Sequence, residues 1–242
     1  MHDFQFYIPP GKIRNNFVTI NGEEYLHCCR VLRKNSGDII KVFDGYGFHY
    51  DVRILNIYKN YAEGKIVKSY PKEKSVSPEL ILGIGTVKNS ALDTIVSQVS
   101  SLGVAHFYPL LTKHSVKRGF KKERFEKIAI ESIKQCGSAY LPEIHDQINF
   151  DNWLDVTRNI KSKLIAEKDS SVSLLRVIDE VKNIDEIAVM VGPEGGFSSD
   201  EIKTAKASGF IPVNIFKRRL RTELAVVVML ANIYSLASIK EG

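Results

Sequence analysis

Cysteine, long apolar runs and internal repeats are all scarce in this sequence. The cysteines Cys28, Cys29 and Cys136 have the spacing of neither a disulfide framework nor a metal site, and His114 has no evident partner ligands, so we expect reduced thiols and no metal. No apolar run approaches the roughly 20 residues that span a bilayer, and no basic-then-apolar leader opens the chain. These absences argue against a secreted or membrane protein and predict a cytoplasmic one.

The length and the charge are those of a globular protein with a bias toward anionic partners. The chain has 242 residues, of which 44% are hydrophobic, enough for one large or two modest domains. Lysine and arginine exceed the acidic residues and give a net charge of +6. This modest excess favours an anionic partner such as nucleic acid, although many basic proteins bind none.

The pattern of apolar residues changes near residue 72 and predicts two domains, 1–72 and 73–242. The first carries four short β-rich runs, 17–20, 39–43, 48–54 and 61–67, separated by turn signals. This pattern is typical of a small closed β-barrel, and one helical stretch, Glu23 to Arg33, interrupts it. A polar linker from Tyr70 to Pro78 follows. Beyond it, strands alternate with helices, which predicts an α/β domain whose mostly parallel sheet is covered on both faces. The strands predicted there are 80–85, 104–111, 163–167, 187–191 and 211–216.

A glycine-rich turn, Gly192 to Gly196, is the strongest local signal in the second domain. It follows the buried strand predicted at 187–191, and Ser198 with Glu201 forms a capping box that begins a helix. In an open α/β sheet, ligands lie outside the carboxyl ends of strands, where glycines allow backbone N–H groups to approach them. A ligand site and a simple connecting turn both fit this pattern.

Glu194 narrows the class of ligand that such a turn would bind. The turn lacks the lysine of a P-loop and the glycine spacing of a dinucleotide site. A carboxylate here would repel a di- or triphosphate at close range, which disfavours a nicotinamide-dependent oxidoreductase. A ligand with positive charge and no phosphate, such as S-adenosylmethionine with its sulfonium, fits better.

A basic segment, Lys217 to Arg221, precedes the last predicted helix. It holds four basic residues in five positions and lies one strand after the glycine-rich turn. Charge runs are usually solvated turns, but adjacent loops of an α/β sheet converge at one edge. The helix that follows, Thr222 to Ile239, contains eight consecutive apolar residues, which predicts burial on every side, at a subunit interface or as a central core helix.

Together these segments resemble the ribosomal RNA small-subunit methyltransferase E family of SPOUT methyltransferases. The residues that carry the resemblance are Gly192 to Ser198, Glu201-Ile202, Ala205, Gly209-Phe210, Leu220 to Glu223 and Ala225, with His27, Arg30 to Arg33, Gly37 and Phe43 to Gly45 in the first domain. The resemblance implies an RNA-binding PUA-like β-barrel, then a methyltransferase domain with a deep trefoil knot. It implies S-adenosylmethionine-dependent methylation of uracil N3 in 16S ribosomal RNA, free or in the 30S subunit, by a homodimer.

The resemblance also implies roles for individual residues. Arg221 would stabilise the anion that develops on the base, while Glu223 and Glu194 are the candidate bases or orienting groups. The cofactor-binding residues would be Ala166, Glu167, Gly192, Pro193, Glu194, Gly195, Gly196, Ile215, Phe216 and Leu220. The RNA-binding residues would be Arg30, Arg33, Lys117, Arg118, Lys121, Lys122 and Arg218.

The chain also departs from the family pattern at several positions. They are Gln5, Val99, Ser101, Lys134, Phe216 and Leu224. These departures leave two other hypotheses open: ribose 2′-O-methylation of another RNA, and RNA binding without catalysis.

Overall fold

The computed structural model describes residues 5–74, 76–116, 120–181 and 184–238. Backbone contacts divide the chain into two compact units. The first unit contains residues 1–75 together with 130–141, and the second contains residues 76–129 and 142–242. A segment from the middle of the chain therefore completes the N-terminal unit. The domain boundary near residue 72 stays a prediction.

The first unit is built on a curled six-stranded sheet whose strand order is β1-β4-β5-β6-β3-β2. Its elements are β1 (Gln5–Tyr7), β2 (Ile13–Arg14), β3 (Phe17–Asn21), α1 (Gly22–Tyr25), β4 (Ile39–Phe43), β5 (Phe48–Ile57) and β6 (Tyr61–Pro71). Alternation along each strand directs one face inward: in β3, Val18 and Ile20 are buried while Phe17 is exposed. The four strands predicted from the sequence are present, and β1 and β2 were not predicted.

The helical stretch predicted at Glu23 to Arg33 is present but is mostly not α-helical. After α1, residues Leu26–Val31 form a π-helical turn, in which the Leu32 N–H donates to the His27 carbonyl at 2.9 Å. Arg33 then takes a left-handed conformation with φ of 53°, which ends the helix. Arg30 and Arg33 are both exposed at this end.

Residues 130–141 pack against the turn between β4 and β5 in the first unit. The Gly47 N–H donates to the Ala139 carbonyl at 3.0 Å, and the Leu141 N–H donates to the Gly45 carbonyl at 3.0 Å. Gly47 has φ of 107°, and a Cβ at this position would lie 2.5 Å from the Tyr140 hydroxyl oxygen. Glycine is therefore required at Gly47 for both backbone conformation and space.

The second unit is an α/β sheet in which every described strand pair is parallel. The strand order is β10-β8-β7-β12-β11-β13, and β9 pairs with β8. The elements are β7 (Glu79–Gly85), α2 (Asn89–Leu102), β8 (His106–Leu111), α3 (Lys122–Cys136), β9 (Glu143–Ile144), β10 (Ile148–Asn149), α4 (Phe150–Val156), β11 (Ser162–Ala166), α5 (Leu174–Val181), β12 (Glu186–Val191), α6 (Ser199–Ala207), β13 (Ile211–Val213) and α7 (Thr222–Ser238). The end of α3 belongs to the first unit.

Both faces of the sheet are buried, as the continuous apolar strands predicted. In β12, Val189 and Val191 face a core formed with α2, α3, α5 and α7, while Ala188 and Met190 face a second core formed with α4 and α6. The prediction of a mostly parallel sheet covered on both faces is therefore confirmed. None of the described helices combines the length and the apolar character needed to cross a membrane.

Helix α7 is not buried on every side within this chain, so it is not a central core helix, and burial at a subunit interface stays a prediction. Its buried residues recur at helical spacing and pack in the first core: Val226, Met229, Leu230 and Ile233. A second apolar stripe is half-buried or exposed, and Leu224 is 50% exposed. An apolar run of this length covers more of the helix surface than one core contact can bury.

Candidate active site

The three segments predicted to bind the cofactor leave one edge of the sheet side by side. β13, β11 and β12 are neighbours in the sheet and run parallel, so their carboxyl ends share an edge. Ala166 ends β11, the glycine-rich turn follows β12, and residues 214–220 follow β13. The Glu167 N–H donates to the Val213 carbonyl at 2.9 Å, which extends the ladder between β11 and β13 by one step.

The segment after β13 begins three residues earlier than predicted, because the strand predicted at 211–216 ends at Val213. The next residue, Asn214, forms an isolated parallel bridge with Ser173, in which the Asn214 N–H donates to the Val172 carbonyl at 2.7 Å. The Asn214 side chain then accepts the Phe216 N–H at 3.0 Å, which forms a local turn. Ile215 is half-buried and the Phe216 ring is exposed at the edge of the sheet.

The glycine-rich turn is a closed backbone loop with an exposed tip. The Gly196 N–H donates to the Pro193 carbonyl at 2.8 Å, and Gly196 has a left-handed φ of 69°. Pro193 is buried against Gly85 at the end of β7, where any Cβ would clash with the proline ring. Glu194 and Gly195 are exposed, so the tip presents backbone and one carboxylate to solvent.

The capping box predicted at Ser198 is present and does more than cap α6. The Ser198 hydroxyl accepts the Glu201 N–H at 3.3 Å, and the Ser198 N–H donates to the Glu201 carboxylate at 2.8 Å. The other carboxylate oxygen accepts the Lys113 N–H at 2.8 Å. Glu201 thus joins the turn after β12 to the loop after β8.

His114 lies over the glycine-rich turn, a position that was not predicted from the sequence. Its Nδ1 lies 3.1 Å from the Gly196 carbonyl oxygen. A Cβ on Gly195 would lie 2.9 Å from the Cβ of His114, so glycine at this position permits the close approach. The loop after β8 therefore forms one wall of the site.

Arg219 connects the basic segment to the glycine-rich turn. Its guanidinium donates to the backbone carbonyl of Glu194. Arg218 and Arg221 were predicted as functional residues, but Arg219 was not. The sequence alone does not distinguish the roles of four neighbouring basic residues. The expected convergence of the two loops is present, and Arg219 makes the contact.

Arg221 and Glu223 flank the first residue of α7. Arg221 is exposed, Thr222 is buried, and Glu223 is half-buried. The Arg221 carbonyl accepts the Ala225 N–H at 2.8 Å, so its backbone belongs to the first turn of the helix. Over the described residues, no hydrogen bond or ion pair joins Glu223 to Arg221, and the orienting role of Glu223 stays a prediction.

The predicted RNA-binding residues fall in both units. Arg30 and Arg33 belong to the first unit, where the Arg30 guanidinium carbon lies 5.8 Å from the centre of the Tyr25 ring. In the second unit Lys121 and Arg218 are exposed, and Lys122 lies 3.9 Å from Glu126. Lys117 and Arg118 lie outside the described residues.

Models of two known domain families match two consecutive parts of the chain. The model of an RNA methyltransferase domain matches residues 73–234, and that of an RNA methyltransferase PUA domain matches residues 20–67. Ribosomal RNA small subunit methyltransferase E of Buchnera aphidicola is 27% identical, over 93% of this chain and 90% of that protein. The protein of the same name from Rickettsia conorii is 25% identical over 97% and 96%.

A solved structure shows the same fold over nearly the whole chain. It is the ribosomal RNA small subunit methyltransferase E of Neisseria gonorrhoeae, bound to S-adenosyl methionine. The TM-score is 0.88 at 27% identity, with 97% of this chain and 98% of that chain covered. The likeness supports the two predicted fold types, a PUA-like β unit and a SPOUT-like α/β unit.

Proposed function

Because the chain belongs to the RNA methyltransferase family, we propose that it methylates N3 of a uridine in 16S ribosomal RNA and uses S-adenosylmethionine. The observation that carries the proposal is the convergence of three loops at the ends of β11, β12 and β13. A relative with this fold is solved with S-adenosyl methionine bound. A ribosomal RNA substrate implies a cytoplasmic location.

The residues at this edge fit the proposed cofactor. The turn offers a glycine backbone and one exposed carboxylate, with no lysine for phosphate, which suits a cationic ligand without phosphates. Ala166, Glu167, Gly192 to Gly196 and Ile215 to Leu220 would hold it, largely through main-chain groups. When bound, S-adenosylmethionine supplies an electrophilic methyl group.

Arg221 is proposed to stabilise the negative charge that the base acquires. Uracil N3 carries a proton at neutral pH, and removing it spreads charge over the two neighbouring carbonyl oxygens. Arg221 is exposed immediately before the N-terminus of α7, a helix of 17 residues, whose dipole also favours negative charge. A guanidinium can present two donors to the oxygens. Glu223 and Glu194 remain the candidate bases, because each is a carboxylate at this edge.

Two partners complete the proposal. The first unit, with Arg30 and Arg33 exposed, would contact the phosphates of ribosomal RNA, either free or within the 30S subunit. A second copy of this chain would cover the apolar stripe of α7 and form a homodimer. The deep trefoil knot implied by the resemblance stays a prediction.

The test is transfer of labelled methyl from S-adenosylmethionine to small ribosomal subunits and to free 16S RNA, both lacking the modification. Mass spectrometry should identify the product as 3-methyluridine. Label in a ribose 2′-O-methyl group would instead establish the alternative activity. Cofactor binding without transfer to either substrate would favour a protein that binds RNA without catalysis.

Arg221→Ala should lower kcat for this transfer by about 10²–10³-fold, because a preorganised charge at the reacting base is lost. Affinity for S-adenosylmethionine should change far less, since the cofactor loops are intact. Arg176→Ala, at an exposed position on α5, is the matched control and should retain the activity of the parent. Unchanged kcat in Arg221→Ala would refute the assigned role.

A further inference from the structure

A cluster of histidine and glutamate side chains lies at the amino-terminal edge of the second unit's sheet, opposite the edge that carries the glycine-rich turn. His106 begins β8 and is paired in register with Glu143, which begins β9. His145 lies two residues beyond Glu143, and the alternation of an extended chain places both on the same face of the sheet. The backbone alone therefore brings the three side chains together.

The three side chains are close enough to share one ion. His106 Nδ1 lies 3.1 Å from His145 Nε2 and 3.3 Å from Glu143 Oε2. One ligand atom from each residue lies within 4.8 Å of the other two. A tetrahedral ion with bonds of about 2.0–2.1 Å holds neighbouring ligand atoms about 3.3 Å apart. The observed separations of 3.3 Å and 3.1 Å are at this value and slightly below it.

We propose that His106, Glu143 and His145 form a binding site for a divalent transition-metal ion of the zinc class. Two imidazoles and a carboxylate suit zinc, cobalt and nickel, whereas calcium and magnesium prefer oxygen ligands alone. The sequence-based expectation of no metal considered only the cysteines and His114, none of which belongs to this cluster.

Two neighbouring residues orient the histidine rings as metal ligands require. Glu79 Oε1 lies 3.4 Å from His106 Nε2, which favours a proton on Nε2 and leaves the lone pair of Nδ1 directed at the cluster. The Tyr108 ring stacks on the His145 ring, with centroids 3.8 Å apart and planes within 5°. This stack holds the ring in the plane that directs Nε2 toward His106.

The site is open to solvent and distant from the proposed chemistry. The side chains of His106, Glu143 and His145 are 31%, 61% and 21% exposed, so an ion can enter and keep water as its fourth ligand. The site lies at the opposite ends of the strands from the glycine-rich turn. An ion here would link β8 to the segment that contains β9 and stabilise the folded second unit, without a part in methyl transfer.

The test uses the full chain after removal of metal with a chelator. Titration with Co²⁺ should produce the visible d–d bands of a four-coordinate site at one ion per chain, and Zn²⁺ should abolish them by displacement. Zn²⁺ should also raise the melting temperature of the chelator-treated protein. None of these readouts depends on methyl transfer, so they stand apart from the proposed activity.

Two variants and a control assign the ligands. Glu143→Gln and His145→Gln should each weaken Co²⁺ binding more than about tenfold. His27→Gln removes an imidazole from the first unit and should bind Co²⁺ like the parent. Glu143 is the most exposed ligand, so its variant tests the site even if His145→Gln folds poorly. Absence of the d–d bands, a cobalt–thiolate charge-transfer band, or unchanged binding in both ligand variants would overturn the proposal.

Discussion

At the residue scale, Lys134 shows how one departure from the family pattern is accommodated. Its ammonium nitrogen lies 3.1 Å from a Glu24 carboxylate oxygen and 2.9 Å from Glu131, inside the first unit. Burial raises the pKa of Glu24 above its ordinary value, and the charge of Lys134 only partly opposes this. Burial lowers the pKa of Lys134, but Glu131 and Glu24 outweigh it and the net pKa is raised. The charge on Lys134 and the charge on Glu24 therefore stabilise each other against the cost of burial.

Lys134→Met should destabilise the protein by about 2 kcal/mol at pH 7, because Glu24 is left buried without its cation. The loss should shrink as the pH falls toward 4.5, the ordinary pKa of Glu24, because the raised pKa means that the carboxyl in the folded protein is then increasingly protonated and carries no charge for the lysine to pair with. Urea unfolding at several pH values measures this. Lys203→Met, at an exposed site, should cost no more than about 0.5 kcal/mol. A cost for Lys134→Met that does not depend on pH would contradict the ion pair.

The cysteines, also at this scale, carry no evident chemistry. Cys28, Cys29 and Cys136 are free thiols, as the sequence predicted for a reduced protein. Burial, with the neighbouring Cys29, raises the pKa of the Cys28 thiol to about 12. At neutral pH Cys28 is therefore protonated and a poor nucleophile.

At the scale of elements, α7 presents two apolar stripes. Val226, Met229, Leu230 and Ile233 are buried in the core, whereas Leu224, Val227, Val228 and Ala231 recur at the same spacing and remain partly or half exposed. Two stripes on one helix explain why its sequence is apolar all round. The second stripe is the surface that we assign to the homodimer.

Leu224→Asp should shift the protein from dimer to monomer, because a carboxylate would be buried in the apolar contact. Light scattering coupled to size-exclusion chromatography measures the mass. Leu175→Asp is the matched control, since Leu175 is 61% exposed on α5 and lies outside the stripe. A parent protein that is monomeric at working concentration, or an equal effect of both variants, would rule out this interface.

Helices and strands could be predicted from the sequence where the residues within the element determine its structure. The strands predicted from apolar runs at 80–85 and 187–191 agree closely with β7 and β12. The two-residue strands β9 and β10 could not be predicted, because only pairing with β8 defines them. Helix α4 had a local signal that was missed: Asn149 caps it by accepting the Asn152 N–H at 2.7 Å.

The candidate site also contains features that could be predicted from the sequence and contacts that could not. The glycine-rich turn and its capping box were evident from the chain, because glycines and a Ser–Glu spacing act locally. The contacts of Arg219 with Glu194 and of His114 with Gly196 join residues far apart in sequence, 25 and 82 positions respectively. No local pattern selects these side chains from their neighbours, so only the fold identifies them.

At the scale of the whole molecule, the N-terminal unit is discontinuous in sequence. Residues 130–141 supply the backbone partners of Gly45 and Gly47 and the lysine that pairs with Glu24. A fragment of residues 1–75 should therefore melt several degrees lower than the same fragment joined to residues 130–141 by a flexible linker, as about 1 kcal/mol shifts a small domain by 4–8 °C. Circular dichroism of both fragments measures the difference. Equal melting temperatures would mean that the segment contributes nothing to this unit.

The discontinuity also sets an order of events during synthesis. The ribosome has already synthesised β7, α2 and β8 before it makes the residues that complete the β4–β5 turn. The N-terminal unit therefore stays incomplete while the start of the second unit is synthesised. It can finish folding only after residue 141 has left the ribosome. A chain truncated by premature termination before that point would carry an incomplete N-terminal unit and none of the proposed cofactor-binding loops.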